Sequence, residues 1–125
     1  MQLKVFGTDY PTPDGACVRD YIHVKDLAEA HTRGMKHLVH NAIADQINLG
    51  TAHGATVLEV IKACEKATQQ SIKYDLEPRR EGDPAVLVAG NEKARTLLDW
   101  EPRASLRDCV NDAWRWHSGA AHDQK

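Results

Sequence analysis

Two adjacent arginines followed by a glycine and an aspartate are the residues whose types and spacing best suit ligand chemistry. They lie in "EPRREGDPA", residues 77–85, where Arg79 and Arg80 precede Gly82 and Asp83. A guanidinium group matches two phosphate oxygens at once, and a glycine lets the backbone approach a ligand closely. A carboxylate such as that of Asp83 can accept a hydrogen bond from a sugar hydroxyl. The segment is therefore a candidate anion-binding loop.

A further arginine lies in an earlier segment, "DGACVRDYIHV", residues 14–24, where Arg19 precedes an aspartate and a tyrosine. Two arginines from distant segments that converge on one diphosphate would make a sound anion clamp. An ordinary solvated loop explains the same residues, with the arginines paired to Glu77, Glu81 or Asp20, because such surface pairs are common and weak. On spacing alone the solvated loop is favoured, and the anion clamp stays open.

Several sequence patterns that would indicate other chemistry are absent. No strand is followed by GxGxxG or by GxxxxGK[ST], and there is no GxSxG or HExxH. Seven histidines invite a metal-site interpretation, but His31 and His37 would face different sides of a helix. No carboxylate or cysteine near them completes a ligand set. We predict no metal site.

Length and composition indicate a single domain over residues 1–125. The chain is 42% hydrophobic and 27% charged, with a formal net charge of −2. The apolar residues are numerous enough to form a buried core. The balanced charge argues against a nucleic-acid partner, and no apolar run is long enough to span a membrane. Three widely spaced cysteines without a CxxC pair, and no secretory signal pattern, favour reduced thiols in a cytoplasmic protein.

Hydrophobic periodicity predicts an α/β arrangement of four helices and four or five short strands. Predicted strands cover residues 3–6, 18–24, 46–50, 71–76 and 85–90, the last of them more buried than the strand before it. One helix carries the apolar stripe from Leu27 to Leu38. Thr56 and Glu59 form a candidate capping box for a second helix, Asn91 is a candidate cap for a short third helix, and Ser105 caps a fourth. Trp114 continues the apolar stripe of the fourth helix and is expected in the core.

Three segments of the chain carry a family resemblance. They are "VFGTDYPTPDGACVRDYIHVKDLAEAH", "NLGTAHGATVLEVIKACEKATQQSIKYDLEPRREGDPA" and "LDWEPRASLRDCVNDAWRWH". They closely resemble the carboxyl-terminal, substrate-binding part of bacterial UDP-glucose 4-epimerases, which are extended short-chain dehydrogenase/reductases. The resemblance runs from about Leu3 to His117. It implies a truncated form of that fold, without a complete Rossmann domain.

The resemblance also assigns roles to individual residues. The backbone at Lys4, Val5 and Phe6 matches a strand that contacts uracil. Arg19 and Arg80 match two arginines that bind the UDP diphosphate, and Asp83 matches an acid that holds a ribose hydroxyl. No catalytic or cofactor-binding residue is expected in this chain, because the family's NAD site and its catalytic Tyr-x-x-x-Lys lie in the amino-terminal half. The literal match Tyr21-x-x-x-Lys25 is interpreted as a coincidence.

Two functions follow as expectations. In the first, the chain is a fragment that binds UDP or a UDP-sugar and is not catalytic by itself. In the second, it is an interaction or oligomerisation module whose ligand site has lapsed. Segments that would pack on a Rossmann half leave apolar surface uncovered, so we expect a homo-oligomer. The sequence also permits a longer natural gene product.

Overall fold

The computed structural model describes residues 2–42 and 44–119. Within these residues the chain forms four helices and five short strands, in the predicted numbers, although the strand Ala55–Thr56 was not among those predicted. The strands are β1 (Leu3–Phe6), β2 (Val18–Arg19), β3 (Ala55–Thr56), β4 (Tyr74–Glu77) and β5 (Val86–Leu87). The helices are α1 (Val24–Asn41), α2 (Val57–Thr68), α3 (Glu92–Leu98) and α4 (Leu106–His117).

The strands form two small sheets rather than one doubly wound sheet. β1 pairs in parallel with β4, with Leu3 opposite Tyr74 and Phe6 opposite Glu77. β2 lies between β3, to which it is antiparallel, and β5, to which it is parallel. No complete Rossmann sheet is present in the described residues, which agrees with the expected partial fold. The second sheet brings Arg19 next to the loop that leads into β5.

Local side-chain signals set the starts of two helices. Thr56 and Glu59 form a reciprocal capping box at the start of α2, and Ser105 and Asp108 form another at the start of α4. Each box satisfies backbone N–H groups that the first turn of a helix leaves unpaired. The expectation that Asn91 caps α3 is wrong, because Asn91 precedes the helix but its side chain makes no capping hydrogen bond.

Trp100, between α3 and α4, is the tryptophan of the hydrophobic core. It is 1% exposed and packs in a cluster with Ala30, Ala94 and Leu98. Its indole N–H donates to the backbone carbonyl of Asp26 at 3.0 Å, so the polar end of the ring is satisfied. The expectation for Trp114 is wrong, because its side chain is 39% exposed and no described element covers that part of α4.

Four strand predictions need correction. The strand predicted at 71–76 covers Tyr74–Glu77. Residues 46–50 are not a strand, although Ile47 and Leu49 are half-buried against the core and alternate with exposed neighbours. The segment has the strand pattern but no partner strand among the described residues. The strand predicted at 85–90 is only Val86–Leu87, and both side chains are exposed rather than buried, because neither face of this short strand is covered. The strand predicted at 18–24 ends after Arg19, where the chain turns toward α1.

Neither a membrane span nor a metal cluster is found in the described part of the chain. None of its helices combines the length and apolarity needed to cross a membrane. No group of three or more histidine, cysteine or acidic side chains among residues 2–42 and 44–119 is placed to hold a metal ion.

Candidate functional site

Arg19 and Asp83, 64 positions apart, meet at the centre of the candidate site. Arg19 lies at the end of β2 and Asp83 in the loop between β4 and β5. The Arg19 Nη2 atom donates a short, charged hydrogen bond to Asp83 Oδ1. Its Nη1 atom donates to the carbonyls of Val18 at 2.7 Å and Pro84 at 2.9 Å. These bonds fix one guanidinium at the mouth of the loop.

Arg80 supplies the second positive charge. Its Nη2 atom lies 3.7 Å from Asp83 Oδ2, and its guanidinium carbon lies 4.5 Å from the centre of the Phe6 ring. Stacking on an aromatic face holds a guanidinium by a cation–π interaction without using its N–H donors. The Arg80 side chain is 64% exposed. Its donors therefore remain accessible to an anion that arrives from solvent.

Arg79 is directed to other partners. Its Nε donates to Asp9 Oδ1 at 2.7 Å and its Nη2 to the Asp9 carbonyl at 2.5 Å. Its guanidinium carbon also lies 4.2 Å from the centre of the Tyr10 ring. The hydrogen bond from Arg79 lowers the pKa of the Asp9 carboxyl, and the same bond raises the pKa of Arg79. Of the two adjacent arginines, Arg80 is the one that lies beside Asp83, the acid that pairs with Arg19.

The pairs expected for an ordinary solvated loop do not form. Glu77 pairs with Lys4 at 2.8 Å, and Asp20 accepts hydrogen bonds from Thr51 and from the backbone N–H of Ala89. Glu81 is exposed and makes no hydrogen bond or ion pair with a described residue. The one acid within reach of both Arg19 and Arg80 in the described chain is Asp83.

Strand β1 borders Arg80 through Phe6. One edge of β1 is paired with β4, and the other edge has no partner strand among the described residues. The Val5 side chain is 1% exposed, so contact between Val5 and a ligand would have to use its backbone. The Lys4 side chain is held by Glu77. Of the six residues predicted for the site, the structure brings together the side chains of Phe6, Arg19, Arg80 and Asp83.

Tyr10 is a residue of this site that the sequence reasoning missed. It is buried, and its hydroxyl donates to the backbone carbonyl of Asp83 at 3.2 Å. Its ring stacks against the guanidinium group of Arg79. Gly7 makes room for it, since a Cβ added there would lie 2.4 Å from the Tyr10 ring. Gly7 also has a φ of +77°, which L side chains rarely adopt. No spacing rule connects position 10 to position 83, so only the folded chain shows the contact.

The Asp83 carboxylate is incompletely satisfied. Its Oδ1 accepts from Arg19, while Oδ2 is buried and has no hydrogen-bond partner. An unsatisfied buried acceptor costs free energy, and a donor brought by a ligand would remove that cost. The arrangement suits a ligand that offers both an anionic group to the arginines and a hydroxyl to the acid.

The described residues contain no glycine-rich turn of the kind that holds a dinucleotide pyrophosphate. A dinucleotide pyrophosphate is held on a glycine-rich turn between a strand and a helix. β1, β2, β4 and β5 each lead into a loop, and the turn before α2 carries Thr56 rather than a glycine fingerprint.

Comparisons with known proteins identify the family. The family model described as GDP-mannose 4,6 dehydratase matches residues 4–113. The chain therefore belongs to that family, whose members share the extended short-chain dehydrogenase/reductase fold.

Within the family the chain matches the carboxyl-terminal part of UDP-glucose 4-epimerases. It is 50% identical over 116 residues to UDP-glucose 4-epimerase of Rhizobium meliloti strain 1021. This match covers 93% of this chain and 35% of the relative. It is 45% identical over 124 residues to the enzyme of Bacillus subtilis strain 168, which covers 99% of this chain and 37% of the relative. The chain thus spans little more than a third of the length of these curated relatives.

Solved structures of UDP-glucose 4-epimerases have a similar fold in the part that this chain matches. One is UDP-glucose 4-epimerase from Stenotrophomonas maltophila with bound NAD and formylated UDP-arabinopyranose. It superposes with a TM-score of 0.89 at 41% identity, over 97% of this chain and 36% of that one. Another is the Bifidobacterium longum enzyme in complex with NAD+ and UDP, with a TM-score of 0.83 at 42% identity, over 96% of this chain and 36% of that one. The expected family is confirmed.

Proposed function

We propose that this chain binds UDP and UDP-sugars through Arg19, Arg80, Asp83 and the free edge of β1. The observation that carries the proposal is the convergence of the two arginines on Asp83 beside Phe6. UDP and a UDP-sugar derivative are the ligands named for the two related structures above. In this chain the arginines would hold the diphosphate, Asp83 would accept from a ribose hydroxyl, and the β1 backbone would contact the base.

We do not expect the chain alone to catalyse epimerisation. In the family that the sequence resembles, the NAD site and the catalytic Tyr-x-x-x-Lys lie in the amino-terminal half, which this chain does not match. Hydride transfer is the chemistry of the cofactor, and the protein contributes orientation and a base. Binding without turnover is therefore the activity proposed here. A cytoplasmic location, consistent with three free cysteines, stays a prediction.

Titration calorimetry with UDP and UDP-glucose tests the proposal, and the two neighbouring arginines provide a matched pair of variants. Loss of a charged hydrogen bond costs roughly 1.5–3 kcal/mol, so Arg80→Ala should weaken UDP binding by about tenfold or more. Arg19→Ala combined with Arg80→Ala should abolish it. Arg79→Ala removes the same charge from the same loop but only a contact that supports the clamp, so it should weaken binding less than Arg80→Ala does. Absence of binding at millimolar ligand would refute the proposal.

The second candidate function is assembly into a homo-oligomer, and an apolar groove beside α4 favours it. The groove has a volume of about 600 Å³ and lies between α2, α4 and the segment that enters α1. The rim residue Trp114 is partly exposed, and Val24 at the start of α1 is 72% exposed. Apolar surface of this kind marks interaction sites. An oligomer that is indifferent to UDP-glucose would support this function over the first.

A further inference from the structure

We infer that Asp83 sets the ligand specificity of this site by excluding small anions that carry no hydroxyl donor, with inorganic pyrophosphate as the test case. The inference rests on the proposed UDP-sugar site, where Asp83 binds a ribose hydroxyl, and it gives Asp83 a second role in that site. Specificity of this kind arises when a site contains an element that repels the wrong ligand as well as one that attracts the right one.

The repulsive element is the negative charge that Asp83 places between the two arginines. Its Oδ1 atom occupies the Nη2 donor of Arg19, and its Oδ2 atom lies 3.7 Å from Nη2 of Arg80. The side chains of Arg19 and Asp83 are only 21% and 19% exposed, so solvent screens their charges less than it would on an open surface. An incoming anion must compete with this carboxylate for the same donors and tolerate its charge nearby.

The attractive element is the unsatisfied Oδ2 atom of Asp83. It is buried and has no hydrogen-bond donor in the described chain. The exposed Arg80 side chain lies beside this atom. When Arg80 moves to a ligand's phosphate, a ligand hydroxyl can reach Oδ2, donate to it, and so offset the repulsion between the carboxylate and the phosphates. Ionised pyrophosphate lacks a hydroxyl of that kind, so it meets the repulsion without the compensation.

The other acids near the site are not placed to do the same. Asp9 is bonded to Arg79, and Glu77 is bonded to Lys4. Glu81 lies in the same loop but is exposed and bonded to neither arginine. Replacement of Glu81 therefore changes the net charge of the loop without changing the charge between the arginines, which makes Glu81→Gln the matched control for Asp83→Asn.

The experiment titrates pyrophosphate and UDP separately into wild type, Asp83→Asn and Glu81→Gln at one fixed ionic strength. Removal of one charge beside the clamp should make Asp83→Asn bind pyrophosphate about fivefold more tightly than wild type, while Glu81→Gln stays within about twofold. The Asp83→Asn variant also lacks the charged acceptor for a ribose hydroxyl, so its preference for UDP over pyrophosphate should fall by about tenfold. Misfolding cannot produce a gain in affinity, and Asp83→Ser provides a second uncharged variant if circular dichroism shows that the first is unfolded.

The outcomes separate this inference from the proposed function. If wild type binds UDP but Asp83→Asn binds pyrophosphate no more tightly than Glu81→Gln does, the inference is wrong and the UDP site stands. If wild type binds no UDP while Asp83→Asn still gains affinity for pyrophosphate, the UDP site is wrong and the electrostatic role of Asp83 stands. If none of the proteins binds pyrophosphate, the inference is overturned.

Discussion

At the scale of single residues, Tyr10 connects the loop after β1 to the loop that carries the ligand-binding candidates. Its hydroxyl holds the backbone of Asp83, and its ring holds Arg79 beside Asp9. Both contacts act on the segment between β4 and β5, which has no regular structure of its own between Glu77 and Val86. A loop held at two points keeps its arginines oriented before a ligand arrives, and such preorganisation lowers the cost of binding.

We predict that Tyr10→Phe weakens UDP binding by about three- to fivefold, because it removes one hydrogen bond worth roughly 1 kcal/mol and keeps the ring under Arg79. Calorimetric titration measures this change. Tyr74→Phe is the control, since Tyr74 is exposed in β4 and its hydroxyl bonds to no described residue. Equal affinities for Tyr10→Phe and wild type would show that the hydroxyl does not position the loop.

At the scale of elements, the start of α2 connects a local signal to the tertiary structure. The Thr56 hydroxyl accepts from the Glu59 backbone N–H at 3.0 Å, as a helix cap does, and donates to Asp14 Oδ2 at 2.6 Å. Thr56 is buried and also ends β3, the strand that pairs with β2. The Thr56 side chain therefore connects the start of α2 to the loop near Asp14 and to the sheet that contains Arg19.

Replacement of Thr56 by alanine should lower the free energy of unfolding by about 1–3 kcal/mol, since it removes a cap and leaves the Asp14 carboxylate without a partner at that atom. Urea denaturation followed by circular dichroism gives the value. Thr32→Ala provides the comparison, because the Thr32 hydroxyl is exposed and bonds only to a carbonyl of its own helix; its effect should stay within about 0.5 kcal/mol. A similar small effect for both variants would contradict the predicted role of Thr56.

At the scale of the whole molecule, apolar surface remains uncovered on more than one side. The groove beside α4 is one such region, and the far end of α1 is another, where Met35 and Val39 are exposed. The described fold matches little more than a third of the length of the related enzymes. The rest of such an enzyme is one candidate for covering these apolar regions. A second copy of this chain is the other source, and it is the one that the assembly hypothesis uses.

We predict that the wild-type chain associates as its concentration rises, and that Trp114→Glu shifts it to the monomer by placing a charge in the groove beside α4. Sedimentation velocity across a concentration series measures the shift. Leu76→Glu adds the same charge to an exposed apolar position in β4, outside that groove and away from the exposed end of α1, so it should leave the association unchanged. A wild-type chain that stays monomeric throughout would exclude this surface as a self-association site.

Sequence by itself determined what depends on neighbours along the chain. The helix starts at Thr56 and Ser105 were predictable because a capping box involves residues only three positions apart. β1 was predictable from four residues, and the motifs around Arg19 and Arg80 were specific enough to indicate the family. The strand predicted at 46–50 shows the limit of such patterns, because the sequence could not show that this segment has no partner strand among the described residues.

Tertiary structure decided whatever depends on residues far apart in the chain. Only the folded chain shows that Asp83 joins Arg19 across 64 positions, that Asp9 takes Arg79 away from the clamp, and that Tyr10 supports the loop. It also places Trp100 rather than Trp114 in the core. The physical reason is common to all of these. A local pattern specifies how a side chain is oriented on its own helix or strand, whereas its partner is specified by which other elements pack against it.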